Sequence, residues 1–142
     1  MKILASCVVL ILITLSLSCS HIAATDKSYR TYIAYAGRDT VMLHLSLVKK
    51  DFYGQYKVNG PGRYLVTGDI NGIVYGDTLL GSLSYTPFGW KNKKRKAFAL
   101  LKDGDTYQRG SGSETVYMGI PSFQKNTLTF GKEVFVLLPE EN

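Results

Sequence analysis

The segment "RYLVTGDINGIVYGDTLLGSLSYT", residues 63–86, carries the pattern that decides the fold. Apolar and polar residues alternate along it, and a glycine stands between two large apolar residues of one face in 66–70 and again in 79–83. The segment "FYGQY", 52–56, repeats this arrangement. A glycine on an apolar face removes core volume, but it lets a sheet bend sharply or an aromatic ring lie over the backbone. Its repetition over successive strands favours a strongly coiled sheet that closes on itself.

The same period of two runs through most of the chain after residue 40. Residues 41–48 put alternating Val and Leu on one face, which is typical of a strand buried on one side. Turn clusters separate such runs, for example "NGPG" at 59–62 and "DGD" at 103–105. No stretch is long enough and free enough of glycine to predict a helix.

We therefore predict an all-β fold, an antiparallel meander of about eight or nine strands. It forms a small closed or partly open barrel in the size range of avidin-like and lipocalin-like proteins. Residues 29–142 make up this single domain. One strand is predicted over 63–70, and the chain ends in two strands, 126–130 and 132–138, on either side of "GK".

The N-terminus has the layout of a secretory signal peptide over residues 1–18. Lys2 supplies the positive charge, 8–17 is an apolar core, and small residues follow. This core is short for a membrane-spanning helix, which needs roughly 20 apolar residues. The uncharged run continues to Thr25, so an uncleaved anchor remains an alternative.

Both cysteines lie in or beside this leader. Cys7 falls inside it, Cys19 follows it, and residues 20–142 contain none, so the mature domain has no disulfide. "LSLSC" resembles the lipobox of bacterial lipoproteins, which implies that Cys19 becomes the acylated first residue and that 19–28 is a short tether. Leu15 stands four residues before the cysteine, where that family prefers three. The alternative is cleavage after Ala24 and soluble export.

The body of the chain carries a second resemblance. "GDTLLGSLSY", residues 76–85, is similar to the "GDTLxGxLxY" meanders of small exported lipoproteins of Gram-negative, Bacteroidota-like bacteria. The similarity extends loosely over 29–138 and implies a location and an architecture but no established activity. We expect an exported cell-envelope protein, on the outer membrane and anchored by its lipid. A soluble periplasmic or secreted protein is the alternative.

Basic residues outnumber acidic ones by 17 to 11, and much of the excess lies in "KNKKRK", residues 91–96. Export argues against nucleic acid as the partner of this run. Two interpretations remain. Its charges form a solvated loop that protects a sheet edge from aggregation, or they contact an anionic lipid or polysaccharide. The candidate contact residues are Lys91, Lys93, Lys94, Arg95 and Lys96.

Three aromatic residues are further candidates for a contact surface. Phe88 and Trp90 flank a glycine just before the basic run, and Tyr53 lies on the polar face of its strand beside Gln55 and Lys57. The alternative for Phe88 and Trp90 is that they plug one end of the barrel.

The sequence contains no recognisable catalytic or metal-binding set. His44 lies on a polar strand face without a second histidine or cysteine at ligand spacing, and "GSGSE", residues 110–114, is not a nucleophile elbow. We predict no catalytic residue, no metal and no cofactor. The expected function is a non-catalytic binding or structural module, with its ligand inside the barrel or on the basic surface. The alternative is an enzyme or enzyme inhibitor whose site is dispersed over the strands.

Overall fold

The computed structural model describes residues 28–139, so Cys19 and the predicted signal peptide and tether up to residue 27 lie outside the described residues. Ten strands follow one another along this part of the chain: β1 (Arg30–Ala36), β2 (Asp39–Val48), β3 (Asp51–Asn59), β4 (Leu65–Tyr75), β5 (Thr78–Tyr85), β6 (Lys94–Asp103), β7 (Thr106–Ser111), β8 (Glu114–Tyr117), β9 (Ile120–Phe123) and β10 (Thr129–Leu137).

Eight of these strands close into an antiparallel barrel. The order around the barrel is β1-β10-β7-β6-β5-β4-β3-β2, so every neighbouring pair but one is joined by a consecutive connection or by the β8–β9 excursion. The remaining pair, β1 with β10, closes the ring. The predicted all-β barrel is thus confirmed. β8 and β9 form a separate two-stranded sheet that packs against β6 and β5.

The two strand boundaries at β4 and β10 were predicted wrongly. β4 continues to Tyr75 because the residues after Ile70 stay in register with β5. β10 is one strand, and the predicted turn at "GK" is a bulge between Phe130 and Val134. Gly131, with φ of 109°, lets the chain bulge without leaving the sheet.

Side chains fill the interior of the barrel. Phe52, Phe98 and Phe135 are fully buried, and the rings of Tyr32 and Tyr107 meet edge to face with centroids 5.1 Å apart. An eight-stranded barrel has room for this much side-chain volume and little more. Such packing argues against a ligand held along the barrel axis.

The glycines on the core side do what the sequence pattern predicts. Gly68 lies between Tyr56 and Tyr85 on the neighbouring strands, and a Cβ there would be 2.7 Å from Leu83 Cδ1. A Cβ on Gly72 would be 2.6 Å from a ring carbon of Phe52. The missing side chains therefore let large neighbours lie against the backbone, which allows the sheet to coil tightly.

Candidate functional site

The connection between β5 and β6, with the first three residues of β6, carries most of the predicted contact residues. We call residues 88–96 the basic segment. Gly89 has φ of +77°, and the Trp90 amide donates a hydrogen bond to the Pro87 carbonyl at 3.0 Å. This tight turn holds the segment in a defined shape rather than leaving it as an extended loop.

Both aromatic rings of the basic segment are on the surface. Trp90 is 58% exposed and Phe88 is 55% exposed, so neither ring is buried in the end of the barrel. Phe88 leans on Tyr64 of the β3–β4 connection, with ring centroids 5.2 Å apart. Lys94 Nζ lies 4.1 Å from the centre of the Trp90 ring, a cation–π geometry. The segment therefore combines apolar ring area with positive charge.

Four of the five predicted cations share this surface. Lys91, Lys93, Lys94 and Arg95 are exposed, and Arg95 Nε donates to Ser84 Oγ at 3.2 Å. Strand alternation separates Lys96 from Arg95 and turns it to the same side as buried Phe98. Lys94 shares that side but is exposed, because it is the first residue of β6.

Lys96 is half-buried, and its Nζ lies 5.1 Å from the centre of the Tyr85 ring. Burial lowers the pKa of Lys96, and the positive charge of Arg109 lowers it further. Lys96 therefore belongs to a second group of side chains, on the core side of the sheet.

That second group centres on Arg109, which the sequence reasoning missed. Its guanidinium carbon lies 4.0 Å from the centre of the Phe98 ring and 5.2 Å from that of Tyr56. Burial lowers the pKa of Arg109 and raises that of Glu133. Burial, reinforced by the nearby Glu133 carboxylate, also raises the pKa of Tyr56 to about 12. Arg109 Nη1 and Glu133 Oε1 are both buried without a hydrogen-bond partner.

The β10 bulge explains how Glu133 reaches this group. Three residues, 131–133, stand opposite the single residue Arg109 of β7, which turns Glu133 towards the guanidinium. The alternation in "TYQRG" could have indicated Arg109, because Arg109 lies two residues after Tyr107 and therefore on the same face of the strand. The sequence does not indicate the bulge, because Gly131 followed by Lys132 is equally typical of a turn.

Tyr53 is not part of the basic segment. It lies on the outer wall of the barrel on β3, opposite Ser46 and Asn71. His44 lies on the same wall, half-buried, and its Nδ1 is 2.9 Å from Thr31 Oγ1. The structure therefore divides the predicted contact residues between the exposed part of the basic segment, the outer wall with Tyr53, and the core side of the sheet with Lys96.

Between residues 28 and 139, no group of three or more His, Cys, Asp or Glu side chains is arranged to hold a metal ion. The same part of the chain forms no helix that is long and apolar enough to cross a membrane. Compared with known proteins, the chain matches no family model, no curated protein and no solved structure.

Proposed function

We propose that this protein is a non-catalytic binding module of the bacterial cell envelope that docks on an anionic lipid surface through its basic segment. The observation that carries the proposal is the exposed Trp90 ring, with the Lys94 ammonium over it and Lys91 and Lys93 beside it in the chain.

Ring and charge act together at a lipid surface. Tryptophan is enriched at membrane–water interfaces, where its apolar body and polar N–H are both accommodated. Each Lys or Arg near an anionic leaflet contributes about 1 kcal/mol. Three exposed lysines with Arg95 therefore supply on the order of 4 kcal/mol before salt screening. This attraction is enough for reversible docking and too weak for permanent attachment.

A lipid on Cys19 would complement this surface. A single acyl chain gives only marginal membrane binding, and stable anchoring takes a second signal such as a basic patch. In this proposal the acyl group and the basic segment together give stable anchoring, and the basic segment also sets how the barrel lies on the leaflet. Mass spectrometry of the mature N-terminus tests the attachment: an acylated Cys19 supports it, and a free N-terminus at Thr25 contradicts it.

Vesicle binding tests the docking surface. The protein without lipid, residues 20–142, is mixed with phosphatidylglycerol or phosphatidylcholine vesicles and sedimented; it contains the whole barrel. We expect binding to the anionic vesicles at low salt, loss at high salt, and loss in the variant Lys93→Gln, Lys94→Gln, Arg95→Gln. The matched control is Lys49→Gln with Lys50→Gln, which neutralises exposed cations in the β2–β3 hairpin.

Two results contradict the docking proposal. The first is absence of binding to anionic vesicles at low salt. The second is salt-sensitive binding to an anionic polysaccharide such as alginate without binding to vesicles. That result would show that the basic segment binds a polysaccharide and not a lipid surface.

A further inference from the structure

A groove of about 590 Å³ lies on the outer wall of the barrel. It adjoins a pocket that shares three of its residues and that Lys93 of the basic segment helps to line. The floor of the groove is the backbone at Gly54, and its sides come from β2, β3 and β4 and from Tyr29, which precedes β1. We call it the wall groove. Its polar and aromatic lining consists of Tyr29, His44, Tyr53, Gln55, Asp69 and Asn71.

Strand register places these side chains in two rows. His44 of β2, Gln55 of β3 and Asp69 of β4 are directly opposite one another, so they share the outer face. Tyr53 and Asn71 form the neighbouring row on the same face. Strands lie about 4.8 Å apart, which spaces the polar groups regularly across the groove. A flat ligand lying on the wall would meet several of them at once.

The polar groups offer both donors and acceptors. Asp69 provides two acceptor oxygens, and Gln55 provides a donor and an acceptor. Ser82 Oγ lies 3.5 Å from Asn71 Oδ1, so the Asn71 amide nitrogen is the group left for the groove. The Thr31 hydroxyl is hydrogen-bonded to Nδ1 of His44, so Nε2 is the ring nitrogen that remains for a ligand. Hydroxyl groups both donate and accept, and they are the ligand groups that such a mixture suits best.

Two tyrosine rings complete the site. Tyr29 is 49% exposed and Tyr53 is 36% exposed, so each presents ring surface to the groove that it lines. Aromatic rings next to a few placed polar groups are the usual makeup of a small-molecule site. Asp69 is the one acidic residue of the lining, and no Lys or Arg lines the groove. Lys57 and Lys93 line the adjoining pocket, which shares three residues with the groove. Within the groove itself, the lining offers an anion no basic Lys or Arg side chain.

We propose that the wall groove binds a neutral saccharide. The rings of Tyr29 and Tyr53 pack on the apolar face of a sugar ring, and Asp69, Asn71, Gln55 and His44 exchange hydrogen bonds with its hydroxyls. An acyl chain fits a different place better, the groove of about 470 Å³ beside β9 that Leu80, Ile120 and Leu128 help to line. The proposal rests on different residues from membrane docking, because none of the wall-groove residues belongs to the basic segment, although Lys93 lines the adjoining pocket.

Saturation-transfer NMR with cellobiose, diacetylchitobiose and glucuronate as probes tests this proposal on the protein of residues 20–142. We expect saturable transfer from the protein to at least one neutral disaccharide and none to glucuronate. Tyr53→Ala and Asn71→Ala should each lower the affinity about threefold to tenfold. Asp69→Asn removes the repelling charge and should admit glucuronate.

The controls separate recognition from damage to the fold. Tyr35→Ala removes an equally large ring that is 74% exposed on β1 and is outside the groove, and it should leave the affinity unchanged. If Tyr53→Ala lowers the melting temperature, Gln55→Ala, at an exposed position of the groove, provides a second groove variant. The proposal is overturned if neither disaccharide shows saturable transfer, or if Tyr35→Ala weakens binding as much as the groove variants do. Loss of vesicle binding alone would leave it intact.

Discussion

Lys94 and Trp90 form a cation–π pair at the surface, with Nζ 4.1 Å from the centre of the indole ring. The pair holds a charge and a large apolar ring in one place. Since such exposed pairs are worth about 0.5–1 kcal/mol, its importance lies in the surface it presents more than in stability.

Trp90 is the only tryptophan of the chain, so its fluorescence reports on this surface directly. We expect its emission to shift to shorter wavelength when phosphatidylglycerol vesicles are added at low salt, because the exposed ring leaves water. Phosphatidylcholine vesicles should give no shift. Lys91→Gln with Lys93→Gln should weaken the shift, whereas an unchanged spectrum on sedimented protein would show that Trp90 does not enter the interface.

Gly68→Ala should destabilise the barrel by about 1–3 kcal/mol. The added Cβ would lie 2.7 Å from both Leu83 Cδ1 and the Ser84 carbonyl oxygen, and the backbone atom cannot move aside cheaply. Urea unfolding measures the loss. Thr67→Ala, at the exposed neighbouring position, serves as the control and should change stability by less than about 0.5 kcal/mol. Equal stability of the two variants would contradict the packing described for Gly68.

Glu133→Gln should stabilise the protein at neutral pH and have little effect in acid. Burial raises the pKa of Glu133 in the folded state, so the wild-type carboxyl favours folding only while it is protonated. That contribution is complete below the ordinary value of 4.5 and is lost as the pH rises through the raised pKa.

The free energy of unfolding of the wild type and of Glu133→Gln is measured from below pH 4.5 to neutral pH. Their difference should grow with rising pH and then level off. Asp51→Asn, which removes one exposed carboxylate, controls for the change in net charge. A constant difference, or one that shrinks as the pH rises, would contradict the assignment.

Tyr56 and Tyr107 should titrate late in alkali. Burial raises the pKa of each phenol to about 12, above the ordinary value of 10. The stability that depends on their neutral forms is therefore present below pH 10 and is lost as the pH passes through about 12. Tyrosinate absorbance measures the titration. Tyr56→Phe should remove one late-titrating group, while Tyr75→Phe, exposed at the end of β4, should leave both late-titrating groups in place.

Much of the fold was visible in the sequence because alternation and glycine placement are local properties. The core-facing glycines at 54, 68 and 81 predicted the coiled, closed sheet, and register confirms their positions. The bulge at 131–133 was missed because its glycine looks like a turn residue until a partner strand is known. The same limit applies to the outer wall, since sequence does not show that His44, Gln55 and Asp69 meet across three strands.

The basic segment shows a different limit. Composition found its cations, but only their places in β6 separate Lys96 from the exposed ones. Arg95 is on the opposite face, and Lys94 shares the face of Lys96 but is exposed at the first residue of the strand. The face on which Lys96 lies could be predicted from Phe98 and Leu100, two and four residues further on, once Lys96 is assigned to the strand rather than to the loop.

The pairing of β1 with β10 has a consequence for how the chain is made. The first and last strands of the barrel are direct neighbours, and Leu138 N donates to the Thr31 carbonyl at 2.9 Å just beyond them. Until residues 129–137 have been synthesised, β1 and β7 are both left with open edges. Nascent chains therefore cannot reach the native ring early, and this contact between distant residues slows folding. Closure of the ring is therefore a step that follows synthesis of β10.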